Sequence, residues 1–172
     1  MLRIKFYKIF LLALMFAVNA TAQHAEKIKK DAETMCKATL SEDFNTLANY
    51  THPKLITALG GKDKMVETLK KGFSDMKAKG GVFFDASVGD AGEVLSIGTE
   101  LYSILPQKVV LKFKDVKISS VSSLVAVSKD NGTTWYFIDA GGMTDDQFKQ
   151  MLPAAYGKLK IPKKTEPLIT RD

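Results

Sequence analysis

The sequence predicts an α+β fold in which N-terminal helices pack in a curved, cone-shaped antiparallel sheet, followed by a C-terminal helix and tail. Apolar residues recur at helical spacing before Gly80 and at the two-residue spacing of strands after Gly81. Helices that precede a run of consecutive strands favour segregated layers over a parallel sheet that alternates with helices. Long, bent strands would let the sheet curl around a helix and leave a pocket at its wide end.

Residues 1–22 have the three parts of a secretory signal peptide. Residues 1–8 carry basic side chains and no acid, residues 9–18 are unbroken apolar, and small residues lead up to the cut. As a helix the apolar run would span about 15 Å, against a hydrocarbon layer of about 30 Å, so a membrane anchor is not expected. We expect cleavage between Ala22 and Gln23, export to the periplasm or secretion, and no membrane attachment of the mature chain.

Composition excludes several classes of function. Three of the 25 basic residues lie in the signal peptide, so the mature chain has 22 basic and 19 acidic residues. That small excess suits solubility rather than nucleic-acid binding. The two histidines and one cysteine show no metal-ligand spacing, and the glycine pairs lack a phosphate-binding pattern. We therefore expect no metal, no cofactor and no nucleic-acid partner.

The helical half divides into three predicted helices. Their expected bounds are Glu26–Leu40, Glu42–Tyr50 and Lys62–Lys79. Ser41 offers an N-cap for the second helix, and Pro53 disfavours helix in the residue before it. Cys36 lies on the apolar stripe of the first helix with Ile28 and Ala32, which predicts a buried thiol rather than a nucleophile or redox centre.

The strand half contains three predicted strands and a hairpin. The strands are Val82–Val88, Thr99–Phe113 with a bend at Pro106, and Lys117–Ser128. Alternation places Val82, Phe84, Ala86 and Val88 on one face of the first strand. The Asn-Gly pair at 131–132 predicts a tight hairpin with positive φ that leads into Thr133–Asp139.

The end of the chain is predicted to cover the domain. Thr144 and Gln147 form a capping box for a short helix that ends before Pro153. Residues 158–172 have little periodicity and are expected to form a tail, either extended on the domain or partly disordered. Since no repeat or linker appears, residues 23–157 are expected to form a single domain.

Segments in both halves carry a resemblance to a known superfamily. They are Asp43-Phe44, Tyr50-Thr51-His52-Pro53 and Gly60-Gly61-Lys62 in the helical half, and residues 101–107 and 128–139 in the strand half. These segments resemble nuclear transport factor 2-like domains of the SnoaL and ketosteroid-isomerase kind, and most closely small exported bacterial members. The resemblance implies a long curved sheet wrapped around helices, as in cystatin-like cones, with a cavity. Some members are isomerases or dehydratases and others are binding or dimerisation modules, so the fold alone does not choose a function.

Glu100 and Tyr102 are the candidate site residues of the second strand. They share a face with Ile104, so Glu100 could be a pocket carboxylate beside a phenol. A solvated carboxylate on the outer face is the favoured interpretation, because both faces of that strand carry apolar residues and the pattern does not assign the inner one. Tyr102 and Trp135 are the candidate ligand-binding residues, although a tryptophan in a sheet more often packs in the core.

The remaining polar candidates have simpler expected roles. Asp139 lies at a strand end, where carboxylates commonly cap turns, and Asp85 is expected to point to water. His52 precedes a proline in a helix break and is expected to form local hydrogen bonds. The catalytic residues of the enzymes in the superfamily have no match in this sequence.

Three functions remain open after these steps. The favoured hypothesis is an exported module that binds a small apolar or amphiphilic ligand, or a protein partner, without catalysis. The alternative is an isomerase or dehydratase-like enzyme that uses Glu100 with Tyr102. The third is a homodimer formed through an exposed face of the sheet.

Overall fold

The computed structural model describes residues 22–171. Within them the chain is an α+β fold with an N-terminal helical region and an antiparallel sheet so strongly curled that it forms a half-barrel. The predicted fold class is confirmed at this level. Residues 1–21, which hold most of the predicted signal peptide, lie outside the described residues. None of the helices within 22–171 is long and apolar enough to cross a membrane.

Helices precede the sheet along the described chain. They are α1 (residues 22–40), α2 (Phe44–Tyr50), α3 (Pro53–Ala58) and α4 (Lys62–Ala78). The predicted cap of α2 is wrong by two residues. The Asp43 carboxylate accepts the Thr46 backbone N–H at 3.1 Å, whereas the Ser41 hydroxyl donates to the carbonyl of Lys37 at the end of α1. The sequence does not predict α3, because a proline indicates the end of a helix. The fixed φ of Pro53 also suits the first position of a new helix, and α3 begins there.

The sheet is built around one long hairpin. Its strands are β1 (Gly81–Val88), β2 (Leu95–Ile97), β3 (Glu100–Phe113), β4 (Val116–Ser128), β5 (Tyr136–Asp139) and β6 (Leu168–Arg171). β3 and β4 pair from Leu101 opposite Ser128 to Phe113 opposite Val116. β1 and β2 share the free edge of β3, and β5 and β6 share the free edge of β4. Every pairing is antiparallel, as predicted.

Pro106 lies inside β3 without breaking it. The carbonyl of Pro106 accepts a hydrogen bond from the N–H of Gly89 at 2.9 Å, so the backbone of Pro106 faces the edge that β1 and β2 share. Residues 89–94 form a loop there between β1 and β2. The N–H that proline lacks therefore faces a loop rather than β4, which explains why a central strand tolerates it.

The predicted alternation of β1 is interrupted by a bulge. The register with β3 shifts between Phe83 and Asp85, so Phe84 is the extra residue. Val82 and Phe84 are exposed, while Phe83 stacks on Phe73 of α4 with ring centroids 4.5 Å apart. Asp85 is half-buried rather than open to water. A strict two-residue period could not reveal the inserted residue.

The predicted tight hairpin is a longer loop. Asn131 and Gly132 do have positive φ values of 56° and 85°, but β4 ends at Ser128 and β5 begins only at Tyr136. The Ser128 hydroxyl accepts the Gly132 N–H at 2.9 Å, and the Asp130 carboxylate accepts the Thr134 N–H at 2.8 Å. These side-chain hydrogen bonds stabilise the wider turn in place of a two-residue one.

The C-terminal segment covers part of the sheet. Helix α5 (Asp145–Met151) begins with the predicted capping box of Thr144 and Gln147, which is confirmed in both of its hydrogen bonds. The predicted tail is extended on the domain. Leu159 is 8% exposed in a core cluster, and β6 pairs with the start of β4. Residues 158–171 are thus structural parts of the domain.

The two faces of the sheet have separate cores. The helical face packs against Ile28, Ala32 and Met35 of α1, and its sheet residues are Leu105, Leu124, Ala126, Trp135 and Phe137. The C-terminal face packs against Phe148, Leu152 and Ala155, and its sheet residues are Tyr102, Val125, Val127 and Ile138. β4 is therefore buried on both faces over Ser122–Ser128. Cys36 is 2% exposed beside the helical face, and its predicted burial is confirmed.

Candidate functional site

The C-terminal face carries several cavities, two of which have an apolar wall and charged residues at the mouth. The larger one, here called the tail cavity, has a volume of about 640 Å³ and lies between the sheet and residues 158–165. Its apolar wall is made by Leu95, Ile104, Pro106, Val121, Leu159 and Pro162. A cavity of this volume is within the range of small-molecule sites, which are mostly apolar with a few polar groups.

Hydrogen bonds between the C-terminal segment and β4 hold the tail cavity in place. The Ser123 hydroxyl donates to the carbonyl of Pro162 at 3.0 Å, and the Thr165 N–H donates to the carbonyl of Val121 at 3.1 Å. Between Leu159, which is anchored in the core, and Thr165, which is bonded to Val121, the chain crosses above the sheet and forms one side of the cavity. The cavity is the space left under that crossing.

The rim of the tail cavity is mainly basic. Lys158, Lys160 and Lys163 line it and are exposed. Of the two acidic residues on the rim, Asp90 pairs with Lys29 at 2.7 Å, which leaves Glu93 as the other negative group. An amphiphile with an anionic head would therefore find positive charge at the mouth and apolar surface inside.

A second cavity of about 380 Å³ is lined by His52, Glu100 and Tyr102 and is here called the His52 cavity. Its wall comes from the start of α3, the turn before β3, the residue after β4 and the segment that follows α5. Lys54 and Lys129 stand on this wall, together with the apolar side chains of Ile97, Met151, Leu152 and Pro153. The structure thus brings together residues that are far apart in sequence.

Glu100 contacts two other polar residues of the His52 cavity. The Tyr102 hydroxyl donates to Glu100 Oε2, and Lys129 Nζ lies 3.2 Å from Glu100 Oε1. The Glu100 side chain is 22% exposed, so it is neither freely solvated nor fully buried. Glu100 and Tyr102 do share a face, as predicted, but the favoured view of Glu100 as a solvated outer carboxylate does not hold.

These contacts set the protonation of the pair. Burial alone would raise the pKa of Glu100, but hydrogen bonds from Tyr102 and Lys129 and the Lys129 charge together lower it below its ordinary value. Burial, and then the hydrogen bond to the Glu100 carboxylate, raise the pKa of Tyr102 above its ordinary value. Glu100 is therefore an ionised acceptor and Tyr102 a neutral donor at physiological pH.

His52 is almost completely buried in this cavity. It is 1% exposed, and its Nδ1 is buried without a hydrogen-bond partner among residues 22–171. Burial lowers the pKa of His52 to about 4, and the positive charges of Lys129 and Lys54 act in the same direction while Glu100 opposes them. The ring is thus neutral at physiological pH. The expected local hydrogen bonding is present only for the backbone, whose carbonyl accepts the Leu55 N–H at 2.9 Å. The backbone N–H of His52 donates to the distant Phe137 carbonyl at 2.9 Å.

The other candidates lie away from the cavities described above. Trp135 is 1% exposed in the helical-face core, edge-on to His24 with centroids 6.0 Å apart. Asp139 accepts the Gly141 N–H at 2.9 Å and the Ser122 hydroxyl at 3.2 Å, so its predicted turn-capping role is confirmed. The structure therefore places Tyr102 at a cavity and Trp135 in packing.

Sequence reasoning missed both the tail cavity and the partners of Glu100. In the sequence His52 lies in a helix break, and Lys129 carries no signal of its own. The approach of Lys129 to Glu100 depends on the register of β3 and β4. Only the pairing of Leu101 with Ser128 brings Lys129 to Glu100. A local pattern carries no signal for such a contact.

Comparison of the chain with models of known protein families and with curated protein sequences gives no match. The chemistry of the described residues also gives no metal centre: among residues 22–171 no three histidine, cysteine, aspartate or glutamate side chains cluster so that they could hold an ion. The site's function is therefore inferred from geometry and charge.

Proposed function

We propose that this protein is an exported module of the nuclear transport factor 2-like superfamily that binds a small apolar or amphiphilic ligand without catalysis. The observation that carries the proposal is the tail cavity, which combines about 640 Å³ of volume, an apolar wall and a basic rim. The curled antiparallel sheet with N-terminal helices is compatible with the cone of that superfamily. The segments that resemble it lie at the two ends of α2, at the starts of α3 and α4, in β3, and from the end of β4 through β5.

The state of Glu100 supports binding over catalysis. An isomerase or dehydratase that removes a proton needs a base whose pKa lies near the working pH. Glu100 has a lowered pKa and already accepts hydrogen bonds from Tyr102 and Lys129, while Tyr102 has a raised pKa. This pair suits a fixed polar wall better than acid–base exchange.

Binding of the neutral apolar dye Nile red tests the role of the tail cavity. Val121 lines this cavity and is 36% exposed, so Val121→Trp fills space without removing a core side chain. The matched control is Val82→Trp, because Val82 is also a strand valine and is 42% exposed. We expect saturable fluorescence enhancement in the mature chain, about tenfold weaker binding in V121W, and no change in V82W, since burying a few methylene-sized groups is worth about 1–3 kcal/mol.

Two results would overturn this proposal. One is the absence of saturable Nile red binding by the folded mature chain. The other is an equal affinity for wild type and V121W, which would place the dye elsewhere. Unbiased mass spectrometry of molecules that co-purify with the native protein then identifies the ligand class.

Export itself has a direct test. Expression of the full chain in a bacterium with a secretory pathway, followed by mass measurement of the exported product, is expected to give an N-terminus at Gln23. Retention of residues 1–22 on the product, or its recovery only inside the cell, would contradict the proposal of export.

A second proposed role is homodimerisation through the sheet. The specific observation is an exposed apolar surface on the part of the C-terminal face that α5 does not cover. Phe84 is 53% exposed there and Leu168 is 64% exposed. Both side chains line one shallow depression together with Val110. Sedimentation of the mature chain is expected to show a dimer that Leu168→Lys weakens. A wild-type monomer at micromolar concentration would count against this role.

A further inference from the structure

The His52 cavity contains a buried polar atom that the described residues leave unsatisfied. Nδ1 of His52 has no hydrogen-bond partner, although the side chain is 99% removed from solvent and lines the cavity. Buried polar groups in native proteins are nearly always hydrogen-bonded, so each exception needs an explanation. Because the His52 ring lines the cavity, a ligand group there is the candidate for the missing partner, reached by a small turn of the ring.

The charges around His52 select the sign of that ligand. Lys54 and Lys129 face the cavity with Glu100, and their combined electrostatic effect on His52 exceeds the opposing effect of Glu100. Glu100 is moreover held by Lys129 and by the Tyr102 hydroxyl. The cavity is therefore net positive where His52 lines it, which favours an anion over a cation.

The apolar part of the wall limits what kind of anion fits. Ile97, Met151 and Leu152 face the same space, and a volume of about 380 Å³ has room for a small organic molecule. An inorganic phosphate would leave this apolar surface uncovered, and its second charge would meet the Glu100 carboxylate. One carboxylate on a compact apolar body matches both parts of the wall.

We propose that the His52 cavity binds a small organic monocarboxylate, with its carboxylate between Lys54 and Lys129 as acceptor of a hydrogen bond from the His52 ring. Its apolar body lies against Ile97, Met151 and Leu152. A neutral imidazole with its proton on Nδ1 makes this hydrogen bond without any proton transfer. The tail cavity shares no lining residue with this site, so the inference does not rest on the proposed function.

Nuclear magnetic resonance of the histidine rings provides the test. The chain has two histidines, His24 and His52, so a His24→Gln variant assigns the ring signals of the isotope-labelled mature protein. Benzoate is the probe and benzamide, of the same shape but neutral, is its control. We expect benzoate to shift the His52 ring signals saturably in the millimolar range and benzamide to shift them several-fold less.

Two matched lysine variants sharpen this test. Lys54→Gln removes one charge at the cavity and is expected to weaken benzoate binding about threefold to fivefold. Lys70→Gln removes an exposed charge from α4, away from the cavity, and is expected to leave the affinity unchanged. Circular dichroism confirms that both variants keep the fold.

Each of three results would overturn the inference. The first is an unchanged His52 ring signal across the titration, and the second is equal binding of benzoate and benzamide. The third is a loss of benzoate affinity in V121W, because that variant fills only the tail cavity. The last outcome would place the anion under the C-terminal segment and leave the proposed function standing.

Discussion

The helical and C-terminal faces of the sheet are covered in different ways. On the helical face one long helix, α1, places Ile28, Ala32 and Met35 directly on Leu105 and Phe137, and the contact forms a continuous core. On the C-terminal face the cover consists of the seven-residue α5, a few turns and an extended segment. Short pieces meet a curled sheet at separate points, and the spaces between those points include the tail cavity and the His52 cavity.

This difference indicates which face of the sheet has room for a ligand. A regular amphipathic helix matches the sheet along its whole length, so it leaves little room for a ligand. Irregular cover leaves room because its contacts are set by single anchors such as Phe148 and Leu159. Both faces have buried cores, and the two cavities lie under the irregular cover of the C-terminal face.

The largest expected difference concerns stability. Leu105 on the helical face is 0% exposed and Leu168 of β6 is 64% exposed. Leu105→Ala is expected to lower the free energy of unfolding by about 2–5 kcal/mol, because it removes buried apolar area and leaves a cavity. Leu168→Ala is expected to change it by less than about 0.5 kcal/mol. Urea unfolding followed by circular dichroism measures both, and similar losses in the two variants would refute the distinction.

The next effect is a pH dependence that comes from His52. Its folded pKa of about 4 lies below its ordinary value of 6.5, so the unfolded chain binds a proton in a range where the folded chain does not. Stability is therefore full above pH 6.5 and falls as the pH decreases towards 4, by about 1.4 kcal/mol per unit at most.

Two measurements check this dependence. Unfolding in urea between neutral pH and about pH 5 gives the slope in a range where carboxylates stay largely ionised. A ring titration of His52 by magnetic resonance gives its folded pKa even if substitutions at this buried position impair folding. An ordinary pKa for His52 would contradict the burial and charge described for the cavity.

A smaller effect is expected from the hydrogen bond between Tyr102 and Glu100. Tyr102→Phe keeps the buried ring but removes the donor, and is expected to lower the free energy of unfolding by about 1–2 kcal/mol at neutral pH. Since the folded pKa of Glu100 is lowered, this contribution is present above its unfolded pKa and is lost as the pH falls through the folded pKa. Urea unfolding of both proteins across that acidic range provides the check. A difference that persists unchanged in acid would mean that Glu100 is not the acceptor that matters.

Much of the fold could be predicted from the sequence because its strongest signals are local. The helical stripe of α1, the capping box at Thr144 and the strand-forming runs of β3 and β4 each need only a few neighbouring residues. The bulge at Phe84 and the wider turn after Ser128 could not be predicted, since they depend on strand register and on side-chain hydrogen bonds.

The candidate site could be predicted only in part, for a related physical reason. The shared face of Glu100 and Tyr102 follows from strand parity, which is local. The approach of His52 and Lys129 depends on how α3 and the end of β4 meet in space. The tail cavity depends on anchors in residues 158–165, where the sequence has no regular period to interpret.

Xenon pressurised into crystals of residues 23–172 tests most directly whether the open space lies on the C-terminal face. Xenon occupies apolar cavities and is easily located by its scattering. The expected result is xenon in the tail cavity, beside Leu95, Ile104 and Leu159, with the core around Ile28 and Trp135 empty of it. Xenon inside that helical-face core, or a tail cavity closed by the C-terminal segment, would contradict the difference in packing between the two faces.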